Sequence, residues 1–108
     1  MDSVADTPRP PYVAVIFTSV QNDDVTGYAE TAERMRALAR EQPGYLGFES
    51  ARTAGGLGIA VSYWAGADDA RAWKAVVDHA EAQRLGRERW YASYRVRIAT
   101  VEREYGKP

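Results

Sequence analysis

One segment near the start of the chain restricts its possible folds more than any other. Residues 12–20 read Tyr-Val-Ala-Val-Ile-Phe-Thr-Ser-Val, with β-branched or aromatic side chains in both alternating sets of positions. Because successive side chains of a strand point to opposite faces of a sheet, this pattern predicts a strand that is buried on both faces. One face can be covered by the chain's own helices, and the other face then needs a partner.

The rest of the chain can supply such helices but not a second domain. Its 108 residues match the usual size of a single domain. Residues 1–11 are polar and contain three prolines, which cannot donate backbone hydrogen bonds, so they predict a flexible N-terminal tail. We therefore expect one domain over residues 12–108.

The middle of the chain predicts a helix followed by a hairpin. Residues 22–24 are good helix caps, apolar residues then recur at helical spacing, and Pro43-Gly44 ends the helix. Residues 45–52 and 57–64 each read as a strand, and a short glycine-rich turn separates them. This arrangement predicts an antiparallel hairpin.

The last third of the chain predicts a second helix and a final strand. The helix begins at residues 66–68, and Asp78 resembles a new cap, so we expect a kink or restart there and an end near Arg89. Residues 92–103 alternate as a strand does, with Tyr94 on one face and Arg97 on the other.

The resulting order, βαββαβ, is that of the ferredoxin-like α+β fold. In this fold two helices cover one face of a four-stranded antiparallel sheet and leave the other face bare. Here the first strand makes the bare face apolar, and a large apolar surface usually marks an interface. We predict a homodimer that pairs through its sheet faces, which would form a dimeric α+β barrel with the helices outside.

Composition argues against several classes of function. A net charge of −1 provides no basic surface for nucleic acid. With no cysteine and a single histidine, we expect no metal site. No apolar run approaches the roughly 20 residues that a membrane helix needs. The acidic N-terminus lacks the features of a signal peptide, so we expect a cytoplasmic protein without a membrane segment.

Several stretches resemble the antibiotic biosynthesis monooxygenase superfamily, and especially a bacterial branch whose members are mostly of unknown function. They include Gly-Tyr-Ala-Glu-Thr-Ala-Glu-Arg-Met (27–35), Gln-Pro-Gly-Tyr-Leu-Gly-Phe-Glu-Ser (42–50), Gly-Ile-Ala-Val-Ser-Tyr-Trp (58–64), Ala-Trp-Lys (72–74), Ala-Gln-Arg-Leu-Gly-Arg (82–87) and Trp-Tyr (90–91). The resemblance implies a dimeric α+β barrel with a small apolar cavity between helices and sheet. In some members that cavity oxygenates polyketide phenols without metal or flavin, and in others it binds and degrades haem.

We therefore predict a cofactor-independent monooxygenase that acts on a small aromatic, phenol-like or quinol-like molecule and holds no cofactor. The alternative is a non-catalytic dimer that binds a small molecule or a partner. Haem chemistry is disfavoured, because haem-degrading relatives place a histidine about three helical turns after a tryptophan, where this chain has Gln83 after Trp73. A closed apolar cavity with a polar group at its end would favour the enzyme.

Candidate site residues follow from what cofactor-free oxygenation needs. Histidine is the residue type most often used as a general base in enzymes, so His79, the only histidine of the chain, is the predicted base. Arg97 is the predicted cation for a developing oxyanion, with Arg34 and Arg95 as alternatives. The predicted substrate-binding residues are Tyr28, Trp64, Trp73, Gln83, Trp90 and Tyr94. The competing interpretations are core packing for the aromatic residues, surface salt bridges for the arginines and a surface position for His79.

Overall fold

The computed structural model of the chain describes residues 3–54, 56–84 and 89–107, without the side chains of residues 80–84. It confirms the predicted order of elements and the α+β ferredoxin-like fold. The elements are β1 (Tyr12–Gln21), α1 (Tyr28–Arg40), β2 (Tyr45–Arg52), β3 (Leu57–Trp64), α2 (Ala67–Arg84) and β4 (Tyr91–Val101). Within the described part of the chain, neither helix is long and apolar enough to cross a bilayer.

The four strands form one antiparallel sheet in the order β2-β3-β1-β4. β1 is central, and Val13 lies opposite Trp64 of β3 and Thr100 of β4. The predicted β2–β3 hairpin is confirmed. Gly56 closes its turn with a positive φ of 103°, which favours glycine, and donates its amide to the carbonyl oxygen of Thr53 at 3.1 Å.

Both helices differ from their predicted bounds for local reasons. α1 begins at Tyr28, because the carboxylate of Asp24 accepts hydrogen bonds from the amide (3.0 Å) and hydroxyl (2.7 Å) of Thr26 and so closes a turn before the helix. α2 runs through Asp78 without the predicted restart. The ammonium of Lys74, one turn earlier, donates to the Asp78 carboxylate at 2.5 Å. Residues 85–88, toward the predicted helix end, lie outside the described residues.

The core lies between the helices and one face of the sheet. Its buried residues are Val13, Ala39, Trp64, Ala70 and Trp73. The rings of Trp64 and Trp73 stack with centroids 5.5 Å apart. The indole N–H of Trp64 donates to the hydroxyl of Ser62 at 2.8 Å, which satisfies its polar group inside the core. The helices therefore seal this end of the sheet.

The N-terminal segment lies against the opposite, open face of the sheet. The amide of Ala5 donates to the carboxylate of Glu49 at 2.9 Å, and the hydroxyl of Thr7 donates to the carboxylate of Glu104 at 2.9 Å. These bonds cover one end of the open face. They place residues 3–11 beside the sheet, and the mobility predicted for the tail stays a prediction.

The other end of the open face is apolar and exposed. Its side chains come from β1 and β3, on the side of the sheet that the helices do not cover. The exposed apolar residues are Val20 (36%), Leu57 (48%) and Ile59 (47%). This half-covered face is where the sequence predicts contact with a second copy of the chain.

Candidate functional site

A cavity of about 910 Å³ lies between the sheet and the two helices. Val15 and Phe17 of β1 contribute to its floor, and both helices contribute to its sides. In the described part of the chain neither α1 nor α2 packs closely on β4, so Val96 and Ile98 line the cavity while remaining 46% and 55% exposed. The cavity is therefore roofed by helices above β1, β2 and β3 and open above β4.

One end of the cavity is a cluster of aromatic rings, here called the aromatic end. Phe17 contacts Tyr91 and Tyr94 with ring centroids 5.2 and 5.6 Å apart, and Tyr28 meets Trp90 edge to face at 5.7 Å. All of these side chains line the cavity. Edges and faces of several rings are thus available to a flat aromatic ligand.

Arg52, at the end of β2, also lines the aromatic end. Its guanidinium lies 5.6 Å from the ring centre of Tyr28 and donates to the Ser19 hydroxyl at 2.7 Å. It also donates to the hydroxyl of Tyr28 (3.4 Å), the carbonyl of Ser19 (3.4 Å) and the carbonyl of Gly56. Every one of these acceptors is neutral. Among the described residues no carboxylate oxygen lies within 4 Å of this guanidinium.

A second arginine, Arg36 of α1, lines the middle of the cavity. Its guanidinium lies 5.2 Å from the ring centre of Phe48 and contacts the exposed carboxylate of Glu33 at 3.2 Å and the hydroxyl of Ser50 at 3.4 Å. Its Nε is buried and has no hydrogen-bond acceptor among the described residues. Such a donor is costly to leave unpaired, so it marks a place for a ligand oxygen.

The structure brings four of the predicted substrate-binding residues together around the cavity. They are Tyr28, Trp73, Trp90 and Tyr94. Trp64 has no exposed surface and lies in the core beside Trp73, outside the lining. Gln83 belongs to α2, but its side chain lies outside the described residues.

The two predicted catalytic residues lie away from the lining. His79 is exposed on α2, and Arg97 is exposed on β4, opposite Ile16 on the face away from the helices. Of the alternative arginines, Arg34 is exposed on α1 and outside the cavity lining. Arg95 of β4 belongs to the lining, on the side of the cavity that the helices leave open. The catalytic roles of His79 and Arg97 therefore stay predictions, without cavity contact to support them.

The sequence analysis missed Arg36 and Arg52, although a signal for each was present. Arg36 follows Tyr28 by eight residues and Ala32 by four, which places it on the inward side of α1. Arg52 follows Phe48 by four residues and therefore lies on the same face of β2. The sequence pattern did not show that the pairing of β2 with β3 turns this face toward the helices.

Among the described residues, no cluster of three or more His, Cys, Asp or Glu side chains is placed to hold a metal ion. The polar groups in the cavity wall are mostly hydroxyls and cationic groups, together with the carboxylate of Asp78. They come from Thr31, Ser50, Ser62, Arg36, Arg52, Lys74, Asp78 and Arg95 and from the tyrosines Tyr28, Tyr91 and Tyr94. This donor-rich set suits an anionic or oxygen-bearing organic ligand.

Comparison with known proteins gives consistent matches. Residues 11–85 match the family model described as antibiotic biosynthesis monooxygenase. The chain is 53% identical over 104 residues to YqjZ, an uncharacterized protein of Bacillus subtilis (strain 168), covering 96% of this chain and 91% of that protein.

Two solved structures share the architecture. SnoaB, a cofactor-independent oxygenase from Streptomyces nogalater, matches with a TM-score of 0.70 and 14% identity over 91% of this chain and 100% of that chain. PA3566 from Pseudomonas aeruginosa matches with a TM-score of 0.60 and 19% identity over 91% of this chain and 99% of that chain. At these identities the two structures support the fold alone.

Proposed function

The chain belongs to the antibiotic biosynthesis monooxygenase family, and on that premise we propose that it oxygenates a small phenol-like or quinol-like molecule without a cofactor. The observation that carries the proposal is an apolar cavity whose wall combines aromatic rings with Arg36, whose Nε has no hydrogen-bond acceptor among the described residues. A volume of about 910 Å³ falls in the usual range for small-molecule sites, about 300–1,000 Å³. Each aromatic contact would add about 0.5–1.5 kcal/mol beyond area burial.

Arg36 would ionise the substrate by stabilising its anion. An opposite charge within about 4–6 Å lowers the pKa of an acid by roughly 1–3 units. The guanidinium of Arg36 would therefore favour the phenolate over the phenol, and the phenolate is the form that can reduce oxygen. The carboxylate of Glu33 lies 3.2 Å from Nη1 of Arg36 and offsets part of this effect, but the pair is weak because the Glu33 side chain is 72% exposed.

The oxygenation balances without any other reductant. The phenolate gives one electron to O₂, and the resulting superoxide joins the substrate radical at a ring carbon ortho or para to the oxygen. Loss of water from this peroxide leaves a carbonyl group. One oxygen atom enters the product, and the other leaves as water with two hydrogens from the substrate, so a phenol and O₂ give a quinone and water.

The proton acceptor in this proposal is His79, as the sequence predicts, acting through water. Its side chain does not line the cavity, but it follows Asp78, which does. Asp78 already accepts a hydrogen bond from Lys74, so this proposal gives it no role as the base. A water chain from the open side would connect the substrate hydroxyl to His79.

Oxygen uptake tests the proposal. Purified protein with a chelator is mixed with naphthols and hydroquinones in an oxygen electrode, and the product is expected to gain one oxygen atom and lose two hydrogens. Arg36→Gln is expected to lower kcat/KM by about 10²–10³, the usual cost of removing one oxyanion donor. Arg71→Gln is the matched control, because Arg71 is exposed and paired with Asp68. No uptake with phenols that demonstrably bind would refute the proposal.

We also infer that the protein is a homodimer joined through its open sheet faces. Val20, Leu57 and Ile59 leave an apolar surface there, and water exposure of such a surface is unfavourable. Leu57→Glu is expected to reduce the mass measured by light scattering from two chains to one, and Leu57 does not line the cavity. Val4→Glu is the control, because Val4 is 86% exposed. A monomeric wild-type protein would contradict the inference.

A further inference from the structure

We propose that Arg52 binds a carboxylate on the aromatic ligand, so that the cavity selects hydroxyaromatic carboxylates over neutral phenols. The proposal rests on the proposed function only for the aromatic nature of the ligand. It makes Arg52 a specificity-determining residue at one end of the cavity, separate from Arg36 in the middle.

Among the described residues, no carboxylate forms an ion pair with Arg52. Its guanidinium is partly buried and lines the cavity, yet all of its hydrogen-bond acceptors are neutral oxygens of Ser19, Tyr28 and Gly56. Burying a charge is unfavourable unless an opposite charge compensates it. Since the described residues provide no carboxylate at this point, a ligand carboxylate is the group that would balance the charge.

The guanidinium is also held in one orientation. The ring of Tyr28 lies on one side of it. A Cβ added at Gly58 would come within 2.5 Å of the Arg52 Cζ, so the group lies directly against backbone that only glycine leaves open. A cation fixed in this way loses little conformational entropy when it binds an anion, which raises affinity.

The donor geometry leaves an edge for the ligand. A guanidinium has five N–H groups, and the hydrogen bonds to Ser19 and Gly56 use Nη1 and one N–H of Nη2. The second N–H of Nη2 reaches Tyr28 at 3.4 Å, and a ligand oxygen would replace this weak bond. The edge formed by Nε and Nη2 can therefore take both oxygens of a carboxylate, the paired arrangement that arginine favours.

The spacing of the two arginines suits one class of ligand. Arg36 contacts Ser50, and Arg52 lies two residues further along β2. Two residues of a strand span roughly 7 Å between their Cα atoms, so Arg36 and Arg52 would contact opposite ends of one aromatic ligand. A ligand with its hydroxyl at Arg36 and its carboxylate at Arg52 would satisfy both groups.

Binding measurements test this inference independently of turnover. Trp73 and Trp90 line the cavity, so their fluorescence reports on 6-hydroxy-2-naphthoate and on its neutral carboxamide. The wild-type protein is expected to bind the carboxylate about tenfold to hundredfold more tightly, the range for a charge-assisted hydrogen bond. Arg52→Gln is expected to abolish this preference and Arg52→Lys to keep part of it. Arg71→Gln is expected to leave it intact.

Equal affinity of the wild-type protein for the two probes would overturn the inference, as would a preference that survives in folded Arg52→Gln protein. Thermal unfolding shows whether that variant is folded; if it is not, Arg52→Lys and the wild-type comparison decide. A carboxylate preference without oxygen uptake would support this inference and refute the oxygenase. Oxygen uptake without the carboxylate preference would support the oxygenase and refute this inference.

Discussion

Trp90 joins the stability of the fold to the shape of the cavity, and its replacement by phenylalanine tests both. Trp90 is only 5% exposed, and its indole N–H donates to the carbonyl of Thr26 at 2.9 Å. Its own carbonyl accepts from the amide of Asn22 at 2.7 Å, and its ring meets Tyr28 edge to face. Trp90 thus fastens the loop before α1 to the start of β4 and closes the aromatic end.

The expected cost of Trp90→Phe has two parts. Losing the indole hydrogen bond costs about 0.5–1.5 kcal/mol. The smaller ring leaves a few tens of Å² of apolar surface unburied, which costs about 1 kcal/mol. The sum, about 2 kcal/mol, compares with a total stability of about 5–15 kcal/mol for a domain. Trp90→Ala would lose about 3–5 kcal/mol, enough to unfold much of the protein, so phenylalanine is the informative replacement.

Urea denaturation followed by circular dichroism measures the change without relying on tryptophan fluorescence. With a slope of about 1–2 kcal/mol per M, the midpoint is expected to fall by about 1–2 M. Tyr105→Phe is the control, because Tyr105 is 96% exposed and its loss of a hydroxyl is expected to change nothing. A Trp90→Phe midpoint equal to that of the wild type would refute the structural role assigned to the indole.

Three further predictions concern different parts of the molecule. Burial and the hydrogen bond donated to Glu49 at 2.6 Å raise the pKa of Tyr63 above its ordinary value of 10.0. The stabilisation that the protonated Tyr63 gives the fold is therefore complete below about pH 10 and is lost as the pH rises further. Tyr63→Phe should reduce this alkaline loss of stability, which urea denaturation at a series of pH values would measure. Gly44→Ala should lower the free energy of unfolding by at least about 1–2 kcal/mol, because Gly44 has a φ of 81°. The loss should be larger still, because the new Cβ would lie 2.7 Å from the Cβ of Asp69. Midpoints of urea denaturation measure this loss. His79→Ala should lower turnover at least about tenfold, since positioned bases contribute about 10²–10⁴.

Each of these predictions has an outcome that contradicts it. An unchanged alkaline loss in Tyr63→Phe would assign that loss to other groups. For Gly44, the comparison is Gly66→Ala, whose Cβ would meet only Asp69 Oδ2 at 3.9 Å; equal stability losses at the two glycines would show that backbone conformation and contact do not matter here. An unchanged rate for His79→Ala would remove His79 from the mechanism and leave deprotonation to solvent.

Most of the fold could be predicted because its signals are local. The two-sided apolar pattern of residues 12–20 and the hairpin over residues 45–64 follow from alternation and turn residues close together in the chain. Where the prediction failed, at the start of α1 and at Asp78, a side chain that could cap a helix bonds elsewhere. Asp24 bonds Thr26, and Asp78 bonds Lys74.

The site was less predictable, because contacts between segments far apart in the chain decide which residues line the cavity. The aromatic candidates were identified by residue type, and Trp64 shows the limit of that method, since it lies in the core outside the cavity lining. His79 was chosen for its residue type, with a surface position as the competing interpretation, and the structure shows that its side chain is exposed.

The amino-acid sequence by itself determined the order of strands and helices and the family. Periodicity, turn residues and sequence identity can all be read along the chain without knowledge of its tertiary contacts. Only the tertiary structure decided which charges face the cavity. Arg36 and Arg52 come together with Phe17 and Tyr94 because antiparallel pairing and helix packing orient one face of each element toward the others. A side chain's environment is set by residues far away in the chain, and no local pattern contains that information.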